Sequence, residues 1–465
     1  VVAGSPGALS VENTALYAPF EISALGNPAT LTGALTRAGG IVELPWMIHS
    51  HWPHLMELVY ARLLALGELW PALLHLAACA GWVAAFFFMT KESLGARAAL
   101  LGSALLATQP AVLELAGTAH SDGAVALFHL LSVGVLWRYR ERLDARALAA
   151  AGLLSGLAAA CKLIGAAPAL GLAFWVWRRA GLRAAAIFSA CAFVVPLPFY
   201  MRSWLETGNP VWPFFPGIFG GRFGGPELVG PYLASARWKL GDNPAALLRY
   251  GPHWLLLPAA VALLRSRSLP PLGRLLACGA LPLALLSARQ HEFWRFMLPA
   301  YPLLALVAAK GLPPLPLAAW ALAATLPFSH SNELYGALAL KPSVDDGRPR
   351  REQYLSRRLD YYDFFKDASR AIPPGGKILL FREIRGYHLD APYLWGDPLN
   401  QGVVDYSKPE SLGCVASHLL INRRLGAYRP RAGYYEPAVV EAVERLGRVV
   451  LERDGLILRE LPPCP

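Results

Sequence analysis

Six charged or ionisable residues interrupt or border the long apolar stretches of this 465-residue sequence. They are Glu114, His120, Asp122, Lys162, Arg202 and Arg295. A charged side chain in an apolar segment costs about 3 kcal/mol unless it faces a partner or a polar cavity. Each of the six is therefore a candidate for a binding or catalytic residue.

Asp122 lies in the segment AGTAHSDG, which spans residues 116–123. With His120 beside it, its carboxylate could bind a divalent cation, Mg²⁺ or Mn²⁺, or accept a hydrogen bond from a sugar hydroxyl. Asp122 also stands in the first turn of a predicted helix, so an N-cap formed by Ser121 or Asp122 is the structural alternative. The sequence leaves both interpretations open.

The basic residues of this group could bind an anion. Arg202 and Arg295 lie at the ends of apolar segments, where they could bind a phosphate, and Lys162 could serve the same phosphate. The alternative for both arginines is a side chain that reaches the polar interface without a specific partner. The other candidates for a polar cavity are Glu114, His120, His291 and Glu292. A carboxylate such as Glu114 is also typical of a hydrogen bond between packed helices.

Three nearby histidines, His49, His51 and His54, raise the question of a metal site. His51 and His54 are three residues apart around Pro53, and the sequence positions no acidic residue as a further ligand. We therefore predict that His51 and His54 lie on the surface.

The elements that position these residues follow from composition. Hydrophobic residues make up 55% of the chain and charged residues 16%, whereas charged residues are roughly a quarter of a soluble chain. A membrane-spanning helix needs about 20 mainly apolar residues. We therefore predict an α-helical polytopic membrane protein with about ten spans, since that many segments meet the criterion. The segments are 71–90, 98–116, 121–138, 147–161, 163–178, 183–201, 249–265, 271–288, 294–310 and 312–328.

The orientation follows from lysine and arginine, which cluster in alternate connections near residues 91–97, 138–146, 178–183, 265–274 and 310. The positive-inside rule assigns those connections to the cytoplasm. Residues 1–70, the turn at His120, the loop 202–248, the turn before Arg295 and the C-terminal domain then share the outer face. We predict a first outer loop over 1–70, a bundle over 71–328 and a soluble α/β domain over 342–465.

The segment 53–69 has apolar positions at helical spacing, with Glu57, Arg62 and Glu68 set apart from them. This pattern predicts a helix that lies in the membrane interface or packs on the surface of the bundle.

The tail alternates helical and strand patterns. It predicts a helix over 351–371, strands at 377–381 and 418–422, a helix over 436–446, and a hairpin that turns at Asp454 and Gly455. The six cysteines form no CxxC pair, and four lie in apolar segments, which argues against zinc and against a disulfide framework. The net charge of +11 is spread over short clusters, so we exclude nucleic acid as a partner.

Several segments, in order, resemble one known family. They are AGTAHSDGAVALF, GLAAACKLIG, YMRSWLETGNPVWPFFPGIFGG, FWRFMLPAYPLLALVAA and the tail segments PPGGKILLFREIRGYHLDAPYLWGDPLNQ and ASHLLINRR. This order resembles the GT-C class of polyprenyl-phosphate-sugar-dependent glycosyltransferases, in the branch of protein O-mannosyltransferases and aminoarabinose transferases. The resemblance extends over nearly the whole chain.

The resemblance implies transfer of a sugar from a lipid-linked donor to an acceptor at the outer face of a bacterial inner membrane. It implies that Asp122 holds metal or donor phosphate, and that Lys162, Arg202 and Arg295 neighbour the phosphate. Membrane lipids and other membrane subunits are further expected partners.

One residue of the family pattern is missing. Family members carry an aspartate in the first outer loop as the catalytic base, and residues 1–70 contain no aspartate. Glu12 and Glu21 are the nearest substitutes, whereas Glu43 and Glu57 suit the role less because they fall in or beside the predicted interfacial helix. Two hypotheses therefore stay open: a GT-C glycosyltransferase, or a non-catalytic GT-C-like scaffold of a larger membrane complex. A transporter is disfavoured because the sequence has no convincing internal repeat.

Overall fold

The computed structural model describes residues 41, 43–67, 69–117, 119–223, 253–266, 268–287, 293–326, 347–349, 352–353, 355–356, 359–383, 385–396, 403–406, 408–423 and 437–464. These residues form mainly helices, with a small sheet in the C-terminal part. The predicted combination of a helical bundle and a C-terminal α/β region is confirmed at this level.

The helices are α1 (Leu55–Leu63), α2 (Leu69–Leu94), α3 (Ala96–Ala107), α4 (Pro110–Ala116), α5 (Asp122–Arg138), α6 (Ala145–Cys161), α7 (Ala166–Val194), α8 (Leu197–Thr207), α9 (Pro216–Phe219), α10 (His253–Ser266), α11 (Pro271–Ser287), α12 (Phe293–Phe296), α13 (Tyr301–Gly311), α14 (Pro314–Ala323), α15 (Tyr362–Ala371) and α16 (Pro437–Arg445). Short 3₁₀ turns at Ile48–His51, Leu64–Leu66, Leu163–Gly165, Leu298–Ala300 and Pro409–Cys414 complete the helical elements.

Contacts divide the chain into two compact units. The helical unit comprises Trp52–Arg202 and Arg237–Leu338, and the sheet unit comprises Val1–His51, Ser203–Ala236 and Ala339–Pro465. The predicted domain boundaries near residues 70 and 342 stay predictions.

In the helical unit, α2 packs on α3 and α5, α5 packs on α6, and α6 packs on α7. Large apolar side chains such as Trp82, Phe86 and Phe188 are fully buried between them. Helices α6 and α7 approach closely at Gly152, where an added Cβ would lie 2.4 Å from the Phe188 carbonyl oxygen. Small residues at helix interfaces are typical of membrane bundles, because they let two backbones touch.

The predicted spans correspond to helices, but several are broken. The segment 98–116 is divided into α3 and α4 before Pro110, because proline lacks the N–H that would continue the helix. The boundary predicted between 163–178 and 183–201 falls inside α7, where Gly181 has a non-helical φ of 86°. In the described residues, Trp70–Leu94 is long and apolar enough to cross a membrane, and the bent pair Leu163–Val194 and Leu197–Thr207 would add a second span if it is one. The number of spans stays a prediction.

The sheet unit contains five strands, β1 (Ile378–Phe381), β2 (Tyr393–Trp395), β3 (His418–Asn422), β4 (Arg448–Arg453) and β5 (Leu456–Glu460). Their order is β2-β1-β3-β5-β4; β1 pairs in parallel with β2 and β3, and β5 pairs antiparallel with β3 and β4. All residues of β1 and β3 are buried, as expected for parallel strands covered on both faces.

Most tail predictions agree with these elements, but the helix predicted over 351–371 is broken: residues 360–361 form a turn, and α15 begins at Tyr362. The strands predicted at 377–381 and 418–422 are β1 and β3, and the helix predicted at 436–446 is α16. The terminal hairpin turns at Asp454 and Gly455, whose φ angles of 50° and 78° are the positive values that a tight hairpin turn needs. The three-residue strand β2 was not predicted, because it is too short to show an alternating pattern.

One prediction from the cysteines was wrong. Cys414 and Cys464 form a disulfide across a sequence separation of 50 residues. No CxxC motif indicates this bond, because the two residues meet only when the segment after β5 returns to the 3₁₀ turn Pro409–Cys414. The four cysteines of the apolar segments are free, as expected for thiols that act as small hydrophobic groups.

Candidate functional site

The site is built around an ion pair within the helical unit. Helix α5 begins at Asp122, and Lys162 follows the last residue of α6 in an extended conformation. Because α5 and α6 are consecutive packed helices, the start of one lies beside the end of the other. Nζ of Lys162 donates a hydrogen bond to Oδ1 of Asp122 at 2.8 Å. A carboxylate at a helix N-terminus and an ammonium at a helix C-terminus are also favoured by the helix dipoles.

This pair bears on the N-cap alternative for Asp122. Ser121 makes no capping hydrogen bond, and Oδ1 of Asp122 accepts the Lys162 ammonium, so the predicted N-cap is not formed. The side chain of Asp122 is only 4% exposed, and that of Lys162 is 18% exposed. Oδ2 of Asp122 is buried and accepts no hydrogen bond from the part of the chain that the structure describes. The carboxylate therefore has one oxygen committed to Lys162 and one without a donor.

A second cation joins the pair from the short helix α12. Arg295 is buried, and its guanidinium carbon lies 5.1 Å from the centroid of the Phe296 ring. Nζ of Lys162 lies 4.5 Å from the same centroid, so both cations lie within cation–π distance of one ring. The charges of Lys162 and Arg295 both act on the Asp122 carboxylate.

His120 connects this cluster to α1 and α2. Its carbonyl oxygen accepts a hydrogen bond of 2.6 Å from the hydroxyl of Tyr60, on α1. Its ring lies 6.3 Å from that of His75, whose Nε2 accepts the backbone N–H of Gly123 at 3.0 Å. Burial, helped by the charge of Arg295, lowers the pKa of His120 well below its ordinary value. His120 is therefore a neutral member of the cluster at neutral pH.

Glu57 lies in the same neighbourhood, although the sequence pattern set it on the polar side of its helix. It is 9% exposed, on the α1 face that also buries Tyr60 and Ala61. Burial raises the pKa of Glu57 to about 7. A hydrogen bond from its own backbone and the charge of Lys162 lower the pKa, and the charge of Asp122 raises it. The burial of Glu57 was not predicted, because carboxylates are rarely buried. The signal that could have found it is the spacing of Glu57 from Tyr60 and Ala61, at i+3 and i+4.

The structure therefore brings together four of the predicted residues: His120, Asp122, Lys162 and Arg295. Arg202 lies on α8, partly buried, and its role stays a prediction. The predicted residues Glu12, Glu21, His291 and Glu292, and the side chain of Glu114, lie outside the described part of the chain.

His51 and His54 are not on the surface, so that prediction was wrong; His49 is buried as well. His49, His51 and His54 are 2%, 2% and 5% exposed. In the sheet unit, Nδ1 of His51 lies 2.8 Å from Oε2 of Glu206, an acidic partner 155 residues away that the sequence could not reveal. Burial lowers the pKa of His49 to about 3, so this side chain is neutral at physiological pH.

The cluster of Glu57, Asp122, Lys162 and Arg295 holds two carboxyl groups and two cations in a largely water-excluded place. Lysine and arginine are the side chains that bind phosphate most strongly, by charge-assisted hydrogen bonds. A carboxyl group beside them could accept a proton. This arrangement can bind a phosphate ester and assist a reaction that leaves negative charge on it.

The chain resembles solved structures in its fold, although its sequence alone matches no family model. No protein-family model matches the sequence, and neither does any curated protein. Among solved structures, ArnT from Cupriavidus metallidurans in the apo state matches with a TM-score of 0.62 and 14% identity, over 97% of this chain and 96% of that chain. ArnT bound to undecaprenyl phosphate matches with a TM-score of 0.59, 14% identity and the same coverage.

A second protein matches over most of the chain. The Archaeoglobus fulgidus oligosaccharyltransferase, in complex with Zn and sulfate, has a TM-score of 0.52 and 14% identity, over 96% of this chain and 71% of that chain. Identities this low carry the fold and not the activity. The resemblance noted in the sequence is confirmed at that level, and the chain has the GT-C fold of the aminoarabinose transferase and the archaeal oligosaccharyltransferase.

Proposed function

We propose that this protein is a membrane glycosyltransferase that transfers a sugar from a polyprenyl-phosphate donor to an acceptor hydroxyl at the outer face of a bacterial inner membrane. The observation that carries the proposal is the buried contact between Lys162 and Asp122, with Arg295 beside it. The GT-C fold supports it, since one structural neighbour was crystallised with undecaprenyl phosphate.

The two cations bind the donor phosphate in this proposal. Lys162 and Arg295 both lie near the Phe296 ring, and both charges act on the Asp122 carboxylate, which supports their binding one anion together. As the bond between the sugar and the phosphate breaks, negative charge grows on the phosphate oxygen, and fixed cations in a dry site stabilise it strongly. Asp122 holds the Lys162 ammonium in position before the donor arrives. Its role is therefore to orient Lys162.

The described residues do not fit a divalent cation, although a neighbour of the same fold was crystallised with Zn. Among them, no group of three His, Cys, Asp or Glu side chains could hold a metal. Oδ1 of Asp122, the predicted metal ligand, already accepts the Lys162 ammonium. The mechanism proposed here therefore contains no metal-dependent step.

The orientation of the chain rests on two independent features. The clusters of lysine and arginine assign alternate connections to the cytoplasm. The disulfide between Cys414 and Cys464 supports an oxidising compartment for the C-terminal part, because disulfides are rare in the cytosol. Both features agree with an extracytoplasmic C-terminal domain, and membrane localisation is consistent with the fold.

The alternative is a non-catalytic scaffold with the same fold. One observation favours it: Lys162 neutralises Asp122 within the chain, and such an ion pair can be purely structural. The scaffold hypothesis predicts that the pair has no effect on any sugar donor.

Turnover of a panel of polyprenyl-phosphate sugars by the purified protein separates the two hypotheses. The native chain and the variants Asp122→Asn, Glu12→Gln and Glu21→Gln are compared under one set of conditions. Release of polyprenyl phosphate by the native chain, with loss in Asp122→Asn, supports the transferase. Absence of turnover by every form, with intact folding, supports the scaffold.

A further inference from the structure

The helix α1 directs two polar side chains toward the Asp122 turn. Tyr60 reaches the carbonyl oxygen of His120, two residues before Asp122. Glu57 stands one turn earlier on the same buried face, so it points to the same side of the helix. Helix α1 also packs on α2 and on α6, the helix that ends beside Lys162. The Glu57 carboxyl therefore lies among the elements that build the cation pair.

One oxygen of the Glu57 carboxyl group is available to accept a proton or a hydrogen bond. Oε2 is buried and accepts no hydrogen bond from the described residues, and Nδ1 of His54 is 4.0 Å from it. A buried carboxyl group with so little compensation destabilises a fold, so such residues concentrate at functional sites. Asp122 differs in this respect, because a hydrogen bond and an ion pair with Lys162 compensate its charge.

We propose that Glu57 is the general base of the transfer reaction. This inference rests on the proposed function. It also revises the expectation from sequence, which favoured Glu12 and Glu21 over Glu57.

With a hydroxyl acceptor, the sugar is transferred by direct displacement. The Glu57 carboxylate takes the proton of the acceptor hydroxyl while the acceptor oxygen forms a bond to the anomeric carbon of the donor sugar. The bond from that carbon to the phosphate oxygen breaks, and its electron pair stays on the phosphate. Lys162 and Arg295 stabilise the charge that the leaving polyprenyl phosphate then carries. The configuration at the anomeric carbon inverts.

The acid–base properties of Glu57 suit this role. A general base works best when its pKa lies near the working pH, and burial raises the pKa of Glu57 to about 7. The charged or titratable groups near it are His54 and Tyr60 on its own segment, Cys161 and Lys162 at the end of α6, and Asp122 on α5. A carboxylate base predicts a transfer rate that rises with pH and levels off above about pH 7.

The test compares the full-length native chain with Glu57→Gln, Glu57→Asp and the exposed control Glu92→Gln, which lies near the end of α2. Two quantities are measured: kcat for transfer from a saturating polyprenyl-phosphate sugar, and the Kd for undecaprenyl phosphate alone. We expect Glu57→Gln to lower kcat by about 100-fold or more, with less than a threefold change in Kd. Glu92→Gln should match the native chain in both.

Glu57→Asp distinguishes loss of the base from a folding defect, since it keeps the carboxylate on a side chain that is one methylene shorter. We expect an intermediate kcat that still rises with pH, whereas the residual activity of Glu57→Gln should lose that pH dependence. A Glu57→Gln kcat within twofold of the native value overturns this inference and leaves the transferase proposal standing. Absence of transfer by the native chain with every donor overturns both.

Discussion

Nζ of Lys162 lies 2.8 Å from Oδ1 of Asp122, which ties the end of α6 to the start of α5. Removing one partner leaves an uncompensated buried charge, so Lys162→Met should lower the free energy of unfolding in detergent by about 3 kcal/mol. The double variant Asp122→Asn/Lys162→Met should be less destabilised than the sum of the single variants, as measured by a double-mutant cycle. Lys91→Met, at an exposed position of α2, is the control. Additive effects in the double variant would contradict a direct interaction.

The close packing at the start of α5 gives a second prediction. A Cβ added at Gly123 would lie 2.5 Å from Sγ of Cys79 and 2.8 Å from Nε2 of His75. Gly123→Ala should therefore destabilise the protein by about 1–3 kcal/mol. In the same helix, a Cβ added at Gly134 would meet only Sδ of Met89 at 4.0 Å. Gly134→Ala should be neutral or stabilising by up to about 1 kcal/mol, because alanine favours a helix. Equal thermal stability of the two variants would count against this packing.

The disulfide gives a prediction for the sheet unit. A bond across 50 residues restricts the unfolded chain, so Cys414→Ser should lower the free energy of unfolding by about 2–4 kcal/mol. Dithiothreitol should destabilise the native chain to the same extent and leave Cys414→Ser unchanged. Cys191→Ser, which removes a free cysteine, is the control. Insensitivity of the native chain to the reductant would show that the bond does not form.

Glu57 gives a prediction for stability against pH. Its pKa is raised from an ordinary 4.5 to about 7, so between these values the folded state binds more protons than the unfolded state. Its contribution to stability is thus complete below about pH 4.5 and is lost as pH rises through 7. Relative to Glu57→Gln, the native chain should lose on the order of 3 kcal/mol of unfolding free energy from pH 4.5 to 8. Thermal unfolding at a series of pH values measures this difference. Parallel curves for the two proteins would show that Glu57 titrates normally.

The sequence identified much of the fold because its signals are local. The apolar period, the proline before α4 and the turn at Asp454 and Gly455 all act within a few residues. The positions of Asp122, Lys162 and Arg295 were predicted for a similar reason, since a charged residue in an apolar segment needs a specific environment.

The contacts that were missed are long-range. Glu206 is 155 residues from His51, and Cys464 is 50 residues from Cys414, so no spacing rule connects them. The burial of Glu57 was missed for a different reason: a carboxylate at the edge of an amphipathic pattern is normally solvated. Here the tertiary packing of α1 on α2 and α6 overrides that preference.

In the proposed mechanism, Lys162 and Arg295 together bind the phosphate of a polyprenyl donor. Equilibrium binding of undecaprenyl phosphate to the purified protein tests this role most directly. Because each charge-assisted hydrogen bond to phosphate contributes about 1.5–3 kcal/mol, Lys162→Met and Arg295→Met should each raise the Kd about tenfold or more. Lys310→Met, at an exposed position at the end of α13, should leave the Kd unchanged. A Kd within twofold of the native value for both site variants, in folded protein, would contradict the assignment of the phosphate to this cluster.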